Sequence, residues 1–169
     1  MRDRPSDNSA VVRVELKRAD AAELVRQDPV LSSSGVIKAM GVRVDEVLAR
    51  GVSRRYADRV VVFQAGEEGN SLFLVLAGEV RLVARRDADS VQLEVVNKGG
   101  VLGEGEALHN SAVRSASALA NGPADLVEIP REALLVGGRV PPGLRVALEG
   151  VHLRRQKTLD EMTDFLNRW

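Results

Sequence analysis

Glu104 and Arg114 are the residues of this chain best placed to do chemistry together. They sit within Leu102-Gly103-Glu104-Gly105-Glu106-Ala107-Leu108, followed by Arg114-Ser115-Ala116. A carboxylate accepts hydrogen bonds from the hydroxyls of a sugar. A guanidinium and the free N–H groups at a helix start neutralise a phosphate. The competing reading of the same pair is a plain Arg114–Glu104 salt bridge with nothing between. No other set of residues competes with this one. Spacing supports no nucleophile–His–acid arrangement and no Walker loop, and the chain has no cysteine. His109 and His152 lack partners at metal-ligand spacing and read as surface residues. The expectation is a non-enzyme without a metal.

These residues must be held by elements that the periodicity defines. Residues 1–10 read as a disordered lead-in. Residues 11–50 read as an N-terminal helical segment. Helical spacing over 15–31 stops at Asp28-Pro29, and spacing over 36–50 is interrupted by Gly41. Residues 51–130 change character. Short Val- and Leu-rich runs at 52–57, 60–64, 72–77, 79–85, 91–96, 115–120 and 124–129 alternate with Gly, Asn and Asp turns. Many short strands at this spacing indicate an antiparallel barrel or jelly roll. One helical turn is expected around Glu104–Leu108. Residues 131–169 read as a hinge, with Gly137-Gly138 and Pro141-Pro142-Gly143, followed by a long helix. Leu144, Leu148, Val151, Arg155, Thr158, Met162, Phe165 and Trp169 repeat at spacings of four and three, a heptad seam. Such a seam either pairs two copies in parallel through 144–169 or folds back onto its own barrel.

Composition narrows the partners. The chain of 169 residues balances 24 basic against 24 acidic side chains, which argues against bulk polybasic binding of nucleic acid. No apolar run approaches membrane-spanning length, and no signal-peptide core opens the sequence. A cytoplasmic location is the expectation, with no membrane partner.

The run Val62-Phe63-Gln64-Ala65-Gly66-Glu67-Glu68-Gly69-Asn70-Ser71-Leu72-Phe73-Leu74-Val75-Leu76-Ala77-Gly78-Glu79-Val80-Arg81-Leu82 resembles the strand, Gly-rich turn, strand, Gly, strand signature of the cyclic-nucleotide-binding domain family. That family includes the bacterial catabolite activator protein and the regulatory subunits of protein kinase A. Gly99-Gly100-Val101-Leu102-Gly103-Glu104 and Arg114-Ser115-Ala116 resemble its phosphate-binding cassette. The resemblance covers roughly 40–169 and implies an eight-stranded jelly-roll barrel with flanking helices and a long C-terminal helix. It implies cAMP or cGMP as ligand. Glu104 would take the ribose hydroxyl and Arg114 the phosphate. Gly103 would allow close backbone approach, Ser115 would offer a hydroxyl, and Ala116 would leave room. Leu102 and Leu93 would flank the purine, and Thr158 on the last helix would meet the base. A stand-alone regulatory domain is then expected, relaying ligand through its last helix to a downstream protein or twin subunit. No DNA-reading helix-turn-helix is expected.

Two residues depart from the family pattern. Gly105 stands where an apolar residue is usual, and Glu106 where a small one is usual. Glu106 reads first as a solvated helix-start acid, favoured there by the helix dipole. Directed at a phosphate ~6 Å away, it would cost roughly 3 kcal/mol at an effective dielectric of ~20. The alternative function is therefore a degenerate cyclic-nucleotide fold, kept as a ligand-free interaction or dimerisation module. The orientation of Glu106 discriminates between the two.

Overall fold

The computed structural model describes residues 13–16, 18–86 and 89–167. The expected lead-in over 1–10 and the terminal Trp169 lie outside the described residues. Four short helical pieces come early: α1 (Arg18–Gln27), α2 (Pro29–Ser32), α3 (Gly35–Met40) and α4 (Val44–Ala49), with a 3-10 turn over Gly41–Arg43. Asp28 starts α2, accepting from the Val30 and Leu31 N–H groups ahead of Pro29, which satisfies donors a helix start leaves open. The segment expected to open as helix at residue 15 begins instead as a strand, β1 (Arg13–Leu16), paired antiparallel with β2 (Val52–Tyr56). Long-range pairing of this kind leaves no signal in local periodicity.

From Val52 the expected eight strands are present: β2, β3 (Val61–Phe63), β4 (Leu72–Ala77), β5 (Val80–Arg86), β6 (Asp89–Val96), β7 (Val101–Leu102), β8 (Ser117–Ala120) and β9 (Ala124–Ile129). They form two antiparallel sheets, ordered β1-β2-β9-β4-β7 and β3-β8-β5-β6. The β4 run is buried from Leu72 to Leu76 because β4 lies inside its sheet between β9 and β7. Ala118 and Ala120 of β8 turn inward as small residues, so a strand of Ser and Ala still faces the barrel core. Gly78, at φ +77°, closes the β4–β5 turn; a Cβ there would lie 2.2 Å from the Pro123 carbonyl oxygen, so only glycine fits.

Two apolar clusters result. One fills the barrel, with Phe63, Phe73, Val75, Leu82 and Leu102. The other joins the outer face of β4 and β9 to the helices through Leu31, Ile37, Leu48, Leu74, Leu144 and Leu148. After α5 (Glu104–His109) and α6 (Arg131–Leu134), the long helix α7 (Pro142–Asn167) runs against α3, α5 and β6. Leu144 and Leu148 are sealed in the second cluster and Arg155 is buried, so the first half of the heptad seam is used within one chain. Beyond it Met162 and Phe165 are exposed. No helix among the described residues is long and apolar enough to cross a membrane.

Leu148 is fully buried and Leu153 on the same helix is exposed. Leu148→Ala should destabilise the fold by about 2–5 kcal/mol in urea melts, and Leu153→Ala should change it by no more than ~0.5 kcal/mol.

Candidate functional site

The cassette is assembled where β7 runs into α5. Gly103 makes the junction in the left-handed region at φ +77°, and a Cβ there would meet Arg114 Nη1 at 2.5 Å and the Ser71 carbonyl oxygen at 2.8 Å. Gly69 (φ +157°) stands on the other side, where a Cβ would lie 3.1 Å from Arg114 Nε. Two glycines thus make the slot that Arg114 occupies.

Arg114 is 3% exposed and almost fully engaged. Nη1 donates to the Ser71 carbonyl at 2.9 Å and to Glu106 Oε1 at 3.2 Å, and Nη2 donates to Ser71 Oγ at 2.8 Å. Its guanidinium carbon lies 4.5 Å from the Phe63 ring centroid and 5.5 Å from that of Phe73, within cation–π range. The other oxygen of Glu106 accepts from Ser115 Oγ at 3.0 Å. Ser71 passes the contact on by donating to Glu128 Oε2 at 2.7 Å, and Arg54 holds Glu128 Oε1 at 2.7 Å. Glu106 is therefore a buried partner of Arg114 and Ser115, not a solvated helix-start acid.

Glu104 turns to a different element. It accepts from Arg155 Nη1, and its second oxygen lies 3.3 Å from His152 Nδ1. Arg155 also donates from Nε to Glu94 Oε1 of β6 at 2.9 Å. Burial pulls the Arg155 pKa down, but the hydrogen bond to Glu94 and the charges of Glu104 and Glu94 more than reverse this. The guanidinium ends above its ordinary value and stays charged. The plain Arg114–Glu104 salt bridge is not formed; each takes another partner. His152, read from sequence as a surface residue, is half-buried, and its ring meets His109 edge-on at 5.5 Å between centroids.

Gly105 now has a reason. A Cβ at that position would come within 2.9 Å of the His152 ring, so the apolar residue usual there would push α7 away. Both departures in the cassette are thus filled from within the chain, Gly105 by His152 and Glu106 by Arg114.

What remains is a cavity of about 80 Å³, lined by Phe63, Leu82, Leu93, Ala116, the cassette residues Gly103, Glu104, Glu106 and Ser115, and four residues of α7. Those four are His152, Arg155, Gln156 and Leu159, one helical face. Sites that enclose a small molecule usually measure roughly 300–1,000 Å³. The structure therefore brings Gly103, Glu104, Ser115, Ala116 and Leu93 to one cavity, with Gly105 and Arg114 packed beside it. It does not bring Leu102, which is fully buried in the barrel core opposite Phe73. Nor does it bring Thr158, whose Oγ1 donates to the Arg154 carbonyl of its own helix at 3.1 Å. The α7 residues that do face the cavity were hidden by the heptad reading. Only Arg155, a charge on an apolar seam, marked that face. No group of three or more His, Cys, Asp or Glu able to hold a metal occurs among the described residues.

The family model for the cyclic nucleotide-binding domain matches residues 53–136. Through these residues the chain belongs to the cyclic nucleotide-binding domain family, a regulatory class. Solved structures of the same fold include the Toxoplasma gondii protein kinase A regulatory domain with cAMP (TM-score 0.61, 22% identity, covering 70% of this chain and 45% of that one). The Thermus thermophilus catabolite activator protein matches with TM-score 0.62 and 28% identity over 76% of this chain and 62% of that one. The regulatory subunit of a cAMP-independent protein kinase A from Trypanosoma brucei matches with TM-score 0.64 and 18% identity over 87% of this chain and 50% of that one. The chain spans less than two thirds of each of these three. No curated protein matches it.

Arg114→Ala leaves the Glu106 carboxylate buried without its cation and should destabilise the domain by about 3–5 kcal/mol. Gly103→Ala forces both the left-handed backbone and the contact with Arg114, and should cost about 2–4 kcal/mol. Chemical denaturation of each variant beside the wild type measures both.

Proposed function

We propose that this domain is a regulatory interaction module that reaches its closed form without a cyclic nucleotide. One observation carries the reading: the Glu106 carboxylate sits on Arg114 and Ser115, the residues that the family resemblance assigns to phosphate and hydroxyl contacts. An anion arriving there must displace a carboxylate that is already desolvated and paired. The ribose-binding acid is likewise occupied, since Arg155 and His152 hold Glu104. That a cAMP-independent kinase subunit shares the fold is in keeping with such a role. Signalling then passes through α7, whose Arg155 ties it to Glu94 and Glu104. Its exposed Met162 and Phe165 supply contacts for a downstream protein or a second copy.

A second reading keeps cAMP or cGMP as the ligand, with Glu106 swinging out on binding. It is favoured by the retention of Glu104, Arg114, Ser115 and Ala116 around one cavity and by the cAMP-bound neighbour.

Isothermal titration separates the two. The wild type should give no saturable heat with cAMP or cGMP up to about 1 mM, the regime of a −4 kcal/mol interaction. Glu106→Ala, which leaves Arg114 charged and uncovered, should acquire a saturable cAMP isotherm, and Arg114→Met placed on that background should remove it. A micromolar wild-type isotherm would replace the first reading with the second. Light scattering on the intact chain, against Met162→Ser/Phe165→Ser, tests self-association through α7; a wild-type monomer at high concentration would leave only the downstream partner.

A further inference from the structure

A groove of about 370 Å³ shares no residue with the cassette cavity. It lies where the α2–α3 corner, the turn between β6 and β7, and α7 meet. Its floor is apolar: Val36 and Val101 are buried, and Ala147 and Val151 are half-buried. Two cations stand over it, Lys98 and Arg154. They are not equivalent. Lys98 donates to Asp28 Oδ2 at 2.7 Å, and that bond, chief among the causes, holds the Asp28 pKa below the ordinary carboxylate value. Their charges cancel. Arg154 makes no ion pair among the described residues; its one hydrogen bond runs to the Gly150 carbonyl of its own helix at 3.4 Å. The groove thus combines an apolar floor with one uncompensated guanidinium, and its volume falls within the usual range for small-molecule sites.

We propose that this groove binds a small amphipathic carboxylate, the head on Arg154 and the apolar body on the Val and Ala floor. A guanidinium pairs with a carboxylate through two parallel N–H···O bonds. One net positive charge matches a monoanion better than a phosphate dianion. The site has a regulatory consequence that does not depend on the cassette. Ser34 Oγ already donates to the Gly99 carbonyl at 2.7 Å, joining the helical corner to the barrel turn, while α7 is held to neither by a hydrogen bond among the groove residues. A ligand seated between them adds that third tie and favours the docked position of α7 by its differential affinity.

Octanoate is the probe, titrated into the full chain and followed by amide chemical shifts. Saturable shifts are expected at Ser34, Gly99, Gly100 and Val151, with 1-octanol binding about tenfold more weakly for want of the charge-assisted bonds. Arg154→Glu should weaken octanoate by about tenfold or more. Val30→Glu, exposed on the rim, keeps Arg154 and should also weaken it through like charge; it carries the comparison if Arg154→Glu does not fold. Shifts that fail to saturate by about 10 mM, shifts centred elsewhere, equal binding of 1-octanol, or wild-type affinity in the folded variants would overturn the assignment. None of these readouts passes through Glu106 or Arg114, so failure here is distinct from failure of the cassette reading.

Discussion

A buried guanidinium must have anionic or hydrogen-bonding partners, and the arrangement of this domain follows from how Arg114 obtains them. Leaving such a charge unpaired away from water would cost several kcal/mol. Two aromatic faces, a main-chain carbonyl and a serine hydroxyl supply part of the need. They do not cancel the charge; Glu106 does. Once that carboxylate is committed, Ser115 has an acceptor, α5 is fastened across the barrel mouth, and the volume an external anion would occupy is reduced. The polar chain continues through Ser71 and Glu128 to Arg54 on β2, so the cassette is braced by the sheet behind it.

A second buried pair repeats the logic on the lid. Arg155 of α7 is held between Glu94 and Glu104, one on an edge strand and one at the start of α5. The glycine at 105 is what lets the helix descend this far, since His152 lies against its bare α-carbon. The unusual features of the cassette are therefore coupled by geometry. A larger residue at 105 would lift α7, and a smaller one at 106 would uncover Arg114. The chain's own side chains, His152 and Arg155, thus hold α7 against the barrel.

Much of this architecture was legible in the chain. Gly and Asn turns separate the strands of a barrel, and the run expected at 72–77 is β4. The helical turn expected at Glu104–Leu108 is α5. The failures have common physical causes. β1 was missed because its stability comes from pairing with Ser53–Tyr56, about forty residues away. Thr158 misses the cavity because each step along a helix rotates a side chain by about 100°, and its hydroxyl turns to its own helix. The facing residues are instead His152, Arg155, Gln156 and Leu159. Nothing near His152 in sequence marks its role, because its partners, Glu104 and Gly105, come from an element far along the chain.

What the sequence alone determined is the barrel, the helical turn at Glu104–Leu108 and the long last helix, because glycine turns, strand alternation and helical spacing are local properties of the chain. It also raised the question of Glu106 without answering it. Only the tertiary structure decided that Glu104 and Arg114 do not pair with each other, that Glu106 turns inward to Arg114, and that α7 folds back on its own barrel. Those outcomes depend on which charges meet in a space that several elements enclose together, and on the cost of leaving any of them unpaired there. No spacing along a single segment encodes that competition.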